Sequence, residues 1–416
     1  MTLKDEIRAR PELFLACAGV IAGIFSIAVS HILLGAAILT LIIKRKKPEL
    51  PAFWLPLAMF LAWTVISVLV SAEPARGLPQ IKKFYVFLIV IVLATVLKRA
   101  GDARWFALAI GGAAGISAIW AIVQYIVKAN GVNDDGFYRL YVADRISGFM
   151  SHWMTFGGQM MIAFVLLIAF VLFASGSDSE PRASASDLPQ TLFWAAYAAL
   201  ALMGIAMLLS GTRSIWLGAG VGAAYLVWSW RKWMLLAAPL LMGLVVLVSP
   251  GFVQERFLSI FHPHGETDSN LHRYVCRRIG YEMIKAHPAF GLGPEQLGTH
   301  FKQYIPADVK RPLPEGYYGH LHNIYVQFAA ERGIPALLFL LWMFGIILWD
   351  FFRAVGKSGE GKFLLHGAIA ATLSILAAGV FEHNLGDSEV LMQFLASVSI
   401  GYAGISHKYP KSHTVT

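Results

Sequence analysis

Apolar positions in this chain run in long unbroken blocks, with no alternation of a core face and a wet face. Blocks of roughly 18 or more apolar residues read as helices that cross a bilayer. Twelve such spans fall near 12–29, 31–43, 52–72, 83–97, 105–127, 156–175, 191–210, 214–230, 233–249, 322–350, 363–381 and 387–405. The span beginning at 322 contains Glu331, Arg332, Gly333 and Pro335. It is therefore either kinked or opened by an interfacial helix that precedes the true span. Polar material collects in three places: 128–155, the Ser/Pro-rich stretch near 176–190, and 250–321, the largest polar piece. The second of these reads as a flexible linker. No repeat of fixed period appears, nor the paired broken helices that mark inverted-repeat transporters.

The ends of the blocks orient them, because short cytoplasmic loops are enriched in Lys and Arg. With the N-terminus inside, the cytoplasmic segments hold Lys4, Arg8, Arg10, Lys44 to Lys47, Lys98, Arg99, Arg104, Arg182, Arg231, Lys232, Arg353, Lys357, Lys362, Lys408 and Lys411. These are about half of the 34 basic residues. Twelve spans return the C-terminus to the same side. Segments 128–155 and 250–321 then lie outside, in a layout of 1–249 (spans one to nine), 250–321 (the large outer loop) and 322–416 (spans ten to twelve and a tail).

Composition agrees. Hydrophobic residues make up 57% of the 416 and charged residues 14%, with a mean hydropathy of +0.61. Soluble domains carry about 25% charged residues, so this chain lacks the polar surface that water demands. The formal charge of +9 is not a nucleic-acid footprint, because the basic residues bracket apolar blocks. Cys17 and Cys276 are too far apart to imply a disulfide framework. The first block lacks a small-residue cleavage site and reads as a retained span.

The unusual polar residues collect on the outer side, although none was used to choose it. Arg145 lies in 128–155, and Arg213 in the turn Ser210-Gly211-Thr212-Arg213-Ser214. Arg273, Arg277 and Arg278 lie in the large loop, His320 and His322 at its exit, and Glu382, His383 and Asp387 in the last outer turn. Guanidinium groups bind phosphate oxygens through a planar two-pronged fork, and a histidine near its ordinary pKa is a general base at neutral pH. The set suits a phosphate-bearing substrate at the membrane surface and a hydroxyl to be activated. Blander roles compete: headgroup anchoring for Arg145 and Arg213, and a helix cap at Asn323. His262, His264, His287, His300 and His320 lie in a wet loop, where a surface histidine is the bland reading. Glu382 with His383, or His320 with His322, are spaced too loosely to specify zinc, so no metal and no cofactor are expected.

Three stretches resemble one family, the O-antigen ligases and polymerases. Gly319-His320-Leu321-His322-Asn323 followed by Gly333 resembles its H-[NSQ]-x9-G signature. Arg273 ahead of Met283-Ile284-Lys285-Ala286-His287-Pro288-Ala289-Phe290-Gly291-Leu292-Gly293 resembles its R-x4-W…MI-x-x-HP-x-x-G-x-G stretch, with Arg277 where the family has tryptophan. The 210–214 turn resembles its arginine turn between two spans. The resemblance implies an all-α polytopic membrane fold of about twelve helices with one large periplasmic loop of short helices, GT-C-like. It also implies a glycosyltransferase of the bacterial inner membrane, active on the periplasmic side. The donor implied is an undecaprenyl-pyrophosphate-linked glycan, and no nucleic acid is involved. The acceptor is lipid A–core for a ligase, the favoured reading, a growing lipid-linked chain for a polymerase, or a protein Ser/Thr for an O-oligosaccharyltransferase. A lipid-linked-glycan flippase is the rival of another class. His322, Arg273 and Arg213 are then expected to be catalytic, with Arg145, Arg277, Asp387, Asn323 and His320 on substrate. Asp387 is expected to orient the histidine or to bind acceptor sugar.

Overall fold

A computed structural model describes residues 3–130, 145–174, 189–258, 269–314, 316–356 and 361–406. His262, His264 and most of the 176–190 linker lie outside them. All regular structure among the described residues is helical. In chain order the helices are α1 (Leu3–Ala9), α2 (Pro11–Ala22), α3 (Ile27–Ile43), α4 (Trp54–Val70), α5 (Pro74–Lys82), α6 (Phe84–Val96) and α7 (Ala100–Asn130). After them come α8 (Trp153–Phe173), α9 (Gln190–Leu209), α10 (Arg213–Arg231), α11 (Ala238–Val248), α12 (Gly251–Leu258) and α13 (Ser269–Ala286). The last are α14 (Leu297–His300), α15 (Ile324–Val355), α16 (Lys362–Ala378) and α17 (Ser388–Ser406).

Seven runs are long and apolar enough to cross a membrane: Pro74–Val96, Ala100–Asn130, Trp153–Phe173, Gln190–Leu209, Arg213–Val248, Ile324–Val355 and Ser388–Ile405. Four shorter apolar helices, α2, α3, α4 and α16, accompany them. The Arg213–Val248 run holds two of the expected spans, and its backbone breaks at Arg231 (φ −150°, ψ 90°). The first expected span, 12–29, is shorter than read: α2 ends at Ala22, and Ser26 starts a new helix by accepting the Val29 amide. At about 1.5 Å per residue, α2 is too short to cross a hydrocarbon core of about 30 Å. Leu236, Leu240 and Val248, around and within α11, are 86%, 78% and 74% exposed. Only lipid tolerates that much apolar surface. Together these are the marks of a polytopic membrane protein.

The bundle centres on α8, most of whose side chains are buried, packed by α7, α9, α10, α16 and α17. Helix α10 reaches α16 because Gly218 and Gly222 present no side chain. A Cβ at Gly222 would stand 2.2 Å from the Ser374 hydroxyl and 3.0 Å from the Ala370 carbonyl. Small residues four apart are the usual route to close helix contact in lipid, where dispersion replaces the hydrophobic effect.

The two ends differ in content. At one, Arg10 pairs with Asp102 (2.7 Å), Glu12 with Lys44 (2.8 Å) and Lys46, Lys98 with Glu49, and the Tyr402 hydroxyl donates to Asp350 (2.8 Å). This is the end that the Lys/Arg bias assigns to the cytoplasm. The 250–321 segment packs at the other, with α13 against α15 and a small core of its own around Val275, Cys276, Ile279, Met283 and Leu321.

The long span is broken at Gly333, so that a short stretch, 324–332, precedes the main run, as both expectations for it require. Gly333 (φ 82°, ψ 167°) breaks α15, and a Cβ there would sit 1.9 Å from the Ala289 carbonyl. The 287–293 strip lies along the break. Leu292 and Gly293 amides donate to the Ala330 and Glu331 carbonyls (2.9 Å each), and the Ile334 amide to the Pro288 carbonyl (2.8 Å). Trp63 and Ser67 of α4 bind the same stretch from the other side. The exposed backbone groups of a broken helix are thus satisfied within the protein, as lipid requires. Glu331 and Arg332 are buried as an ion pair (2.6 Å), with Gln327 and Gln80 taking further hydrogen bonds. A buried charge pair persists only when so partnered.

Candidate active site

His322 has a left-handed backbone, φ 49°. A non-glycine residue there carries strain of about 1–3 kcal/mol, and such residues cluster at functional sites. Its neighbours hold it. The Leu321 amide donates to Gln327 Oε1 (2.8 Å), and Asn323 caps α15 by accepting the Val326 amide (2.9 Å). Asn323 Nδ2 donates to the Val380 carbonyl (2.8 Å), and the Ile324 amide to the Gly379 carbonyl (2.8 Å). The start of α15 is therefore stitched to the end of α16. That stitch brings His322 to Glu382, sixty positions along the chain.

Glu382 is the centre of the site. His322 Nδ1 lies 3.2 Å from Glu382 Oε1, and Arg273 Nη2 lies 3.3 Å from Oε2. The His383 amide adds a donor at 3.3 Å. Glu382 is 2% exposed. Burial alone would raise its pKa, but the His322 hydrogen bond and the Arg273, His322 and His320 charges outweigh it and hold the carboxyl at about 2. It is a fixed anion that orients one histidine and one arginine.

Arg273 meets this carboxylate directly, and the charges of Arg273, Glu382 and Arg213 all reach Arg145. Arg145 lies over the Trp153 ring at 5.0 Å. Burial and the charge of Arg273 lower its pKa to about 10, with Arg213 adding to the repulsion and Glu382 opposing it. Arg213 opens α10 just after the 210–212 turn, where Gly211 has φ 63°. Its Nη2 donates to Asn270 of α13 at 2.7 Å. Arg277 lies one helical turn beyond Arg273 and is half-buried. Arg278 is committed elsewhere, with Nη2 at 2.9 and 3.0 Å from the two Asp308 oxygens.

Histidines complete the wall. His320 and His322 rings meet at 4.1 Å, and His272 and His322 at 5.2 Å. Burial, then the His322 charge, lowers both His320 and His272 to about 4, so these two are neutral at pH 7. His383 falls to about 3, from burial first and then the His320, Arg332 and Lys83 charges. Several polar atoms here are buried without a hydrogen-bond partner among the described residues: His322 Nε2, His320 Nδ1, Arg273 Nε and both side-chain polar atoms of Asn384. Buried polar groups are normally satisfied, so a cluster of orphans marks a place built for something else. One atom each from His320, His322 and Glu382 could also hold a metal ion, as could one each from His272, Cys276 and His322.

Asp387 does not meet the histidine. It accepts from Thr155 Oγ1 at 2.9 Å, and burial, eased by that bond, raises its pKa to about 6. Glu382 occupies the position beside His322. Asn323 spends both ends of its side chain on backbone, as a cap. Sequence reasoning left out His272, Trp153 and Asn270 entirely. The sign available for His272 was its place one residue before Arg273.

Residues 198–341 match the family model described as O-antigen ligase. No curated protein matches the chain. The arginine turn, the α13 arginines, the 287–293 strip, His322 and Gly333 all fall inside 198–341, the stretch over which the chain is similar to the O-antigen ligase family.

Proposed function

We propose that this chain transfers a glycan from undecaprenyl pyrophosphate to a sugar hydroxyl of lipid A–core, at the extracytoplasmic face of the bacterial inner membrane. The observation that carries this reading is Glu382, shared by His322 and Arg273, with Arg145 near enough to feel the charges of Arg273, Glu382 and Arg213.

The chemistry follows from the charges. His322 Nε2 takes the proton from the acceptor hydroxyl as its oxygen attacks the anomeric carbon. The Nδ1–H donates to Glu382, which stabilises the imidazolium that forms. The bond between the anomeric carbon and the pyrophosphate oxygen breaks, and its electron pair leaves with the pyrophosphate. Arg273 and Arg213 take up the developing charge and Arg145 supports them, the preorganised stabilisation that contributes most in a site shielded from water. Direct displacement inverts the anomeric carbon. Arg277, His320 and Asp387 line the sugar side. Arginines carry the leaving-group charge, so transfer is expected to run in excess chelator.

Lipopolysaccharide from a strain lacking its own ligase, with and without this chain, tests the proposal. Restored long-chain product on core supports ligation. Bare core with stored lipid-linked polymer, unchanged by the chain, overturns it. In a second strain that keeps its ligase but lacks its polymerase, so that core carries one repeat, long polymer on core once this chain is supplied reassigns the chain to polymerisation.

A further inference from the structure

The strongest unassigned cluster lies behind the proposed base. His272 and Cys276 stand four residues apart on α13, so one face of the helix presents both, and His272 Nε2 is 3.5 Å from Cys276 Sγ. A tetrahedral ion with metal–nitrogen and metal–sulfur bonds of about 2.0 and 2.3 Å separates neighbouring N and S ligands by about 3.5 Å. Both side chains are more than nine-tenths buried. One ligand atom from each of His272, Cys276 and His322 lies within 4.8 Å of the others. His322 supplies the third through Nε2, which is buried and without a hydrogen-bond partner among the described residues. Its Nδ1 meets the Glu382 carboxylate. A carboxylate behind the far nitrogen is the arrangement that orients ligating histidines and raises their basicity. The His272 ring likewise donates a hydrogen bond to the Tyr317 backbone.

We infer that His272, Cys276 and His322 form an inhibitory site for a thiophilic divalent cation of the zinc class, one that switches the enzyme off by occupying the base. The inference rests on the proposed role of His322. The lone pair on Nε2 serves either a metal or the acceptor proton, so metal binding and transfer exclude one another. Burial raises the Cys276 thiol to about 12, so the ion displaces the thiol proton as the metal–sulfur bond forms and one proton leaves to water. Each imidazole contributes a lone pair without losing a proton. The fourth position remains for a water molecule.

Two measurements on the full-length protein in detergent decide the matter. Added cobalt(II) is expected to give a near-ultraviolet thiolate-to-metal absorption band, lost in Cys276→Ser. Added zinc is expected to stop glycan transfer reversibly, with chelator restoring it. Cys276→Ala, which removes a ligand and touches no proposed substrate group, should transfer normally without zinc. It should need at least roughly tenfold more zinc for half-inhibition, since even ligand-supporting partners are worth 10–100-fold in affinity. No thiolate band with cobalt overturns the inference. So does zinc inhibition that is unchanged in Cys276→Ala, which would move the ion to His320, His322 and Glu382. A chain that binds cobalt through the thiol but transfers no glycan keeps the site and defeats the proposed function. A chain that transfers but ignores zinc does the reverse.

Discussion

The two ends of the helix bundle use charge in opposite ways. At the end assigned to the cytoplasm, acids and bases match: Arg10 with Asp102, Lys44 and Lys46 with Glu12, Lys98 with Glu49. At the other, one buried carboxylate faces Arg273 and His322 directly and Arg145 through space. Polar atoms of His320, His322 and Asn384 there are buried without hydrogen-bond partners among the described residues. Matched charges hold helix ends at a membrane surface and ask nothing further. Buried polar atoms left without a partner cost free energy unless a ligand completes them. The difference separates structure from site more sharply than residue type does, since both ends are rich in arginine or lysine.

The contrast is open to attack from the site end first. Glu382→Gln removes the shared anion while keeping its shape. A loss approaching roughly 10⁴-fold is expected, as for other carboxylates that orient a catalytic imidazole. A change in donor KM with unchanged kcat would instead say that Glu382 serves binding alone. Arg273→Lys keeps the charge beside Glu382 but loses the planar fork. Turnover should drop by roughly 10²–10³, the usual cost of one charge-stabilising donor, with protein level unchanged. Normal turnover in single-turnover assays of the purified variant would make Arg273 a structural ion pair and leave Arg277, one turn along α13, as the better candidate.

Acid should damage the site end selectively. His272, His320 and His383 sit at about 4, 4 and 3 in the folded protein, against about 6.5 when unfolded. The unfolded chain therefore binds more protons, and the stability these groups contribute is present above pH 6.5 and lost as pH falls toward 4. Asp387, raised to about 6, acts in the opposite direction: its contribution is present at low pH and lost as pH rises through 6. Three groups outweigh one, so the melting temperature in detergent should fall between pH 6.5 and 4. It should fall less in a variant carrying His272→Asn and His320→Asn. An identical slope in that variant would place the acid sensitivity elsewhere.

The smallest effect belongs to the matched end. Lys98→Ala breaks an exposed pair with Glu49, and such pairs contribute about 0–1 kcal/mol. Unchanged transfer and a melting temperature within a few degrees are expected. Strong loss of transfer there would end the distinction between the two regions.

The fold was largely legible because lipid imposes one rule on every span, and hydropathy reads that rule directly. It was read wrongly where the rule is local. Nothing apolar marks Ser26, yet its hydroxyl ends one block and begins the next. The kink was visible as Gly333 and Pro335 within a span, but its partner, the 287–293 backbone, lies some forty residues away and carries no periodic signal. At the site, His322, Arg273 and Arg213 stood out by motif and by shared side. Glu382 was noticed as a neighbour of Asp387 and, with His383, as a loosely spaced zinc pair, but not as the partner of His322. Its pairing with His322 depends on the hydrogen bonds from Asn323 and Ile324 to the end of α16, which no local pattern encodes. His272 and Cys276 resembled an ordinary polar and an ordinary buried position until the fold set them against His322.

The claim on which the account turns is that His322, held by Glu382, removes the acceptor proton. The direct measurement is turnover of purified His322→Ala, normalised to folded protein and taken at saturating donor, beside His320→Ala. A general base contributes roughly 10²–10⁴-fold, so His322→Ala should lose transfer to that extent while remaining folded, and His320→Ala should lose far less. Near-normal turnover in His322→Ala, with only a reduced protein level, would contradict it. His322 would then be a strained residue that packs the loop against α15.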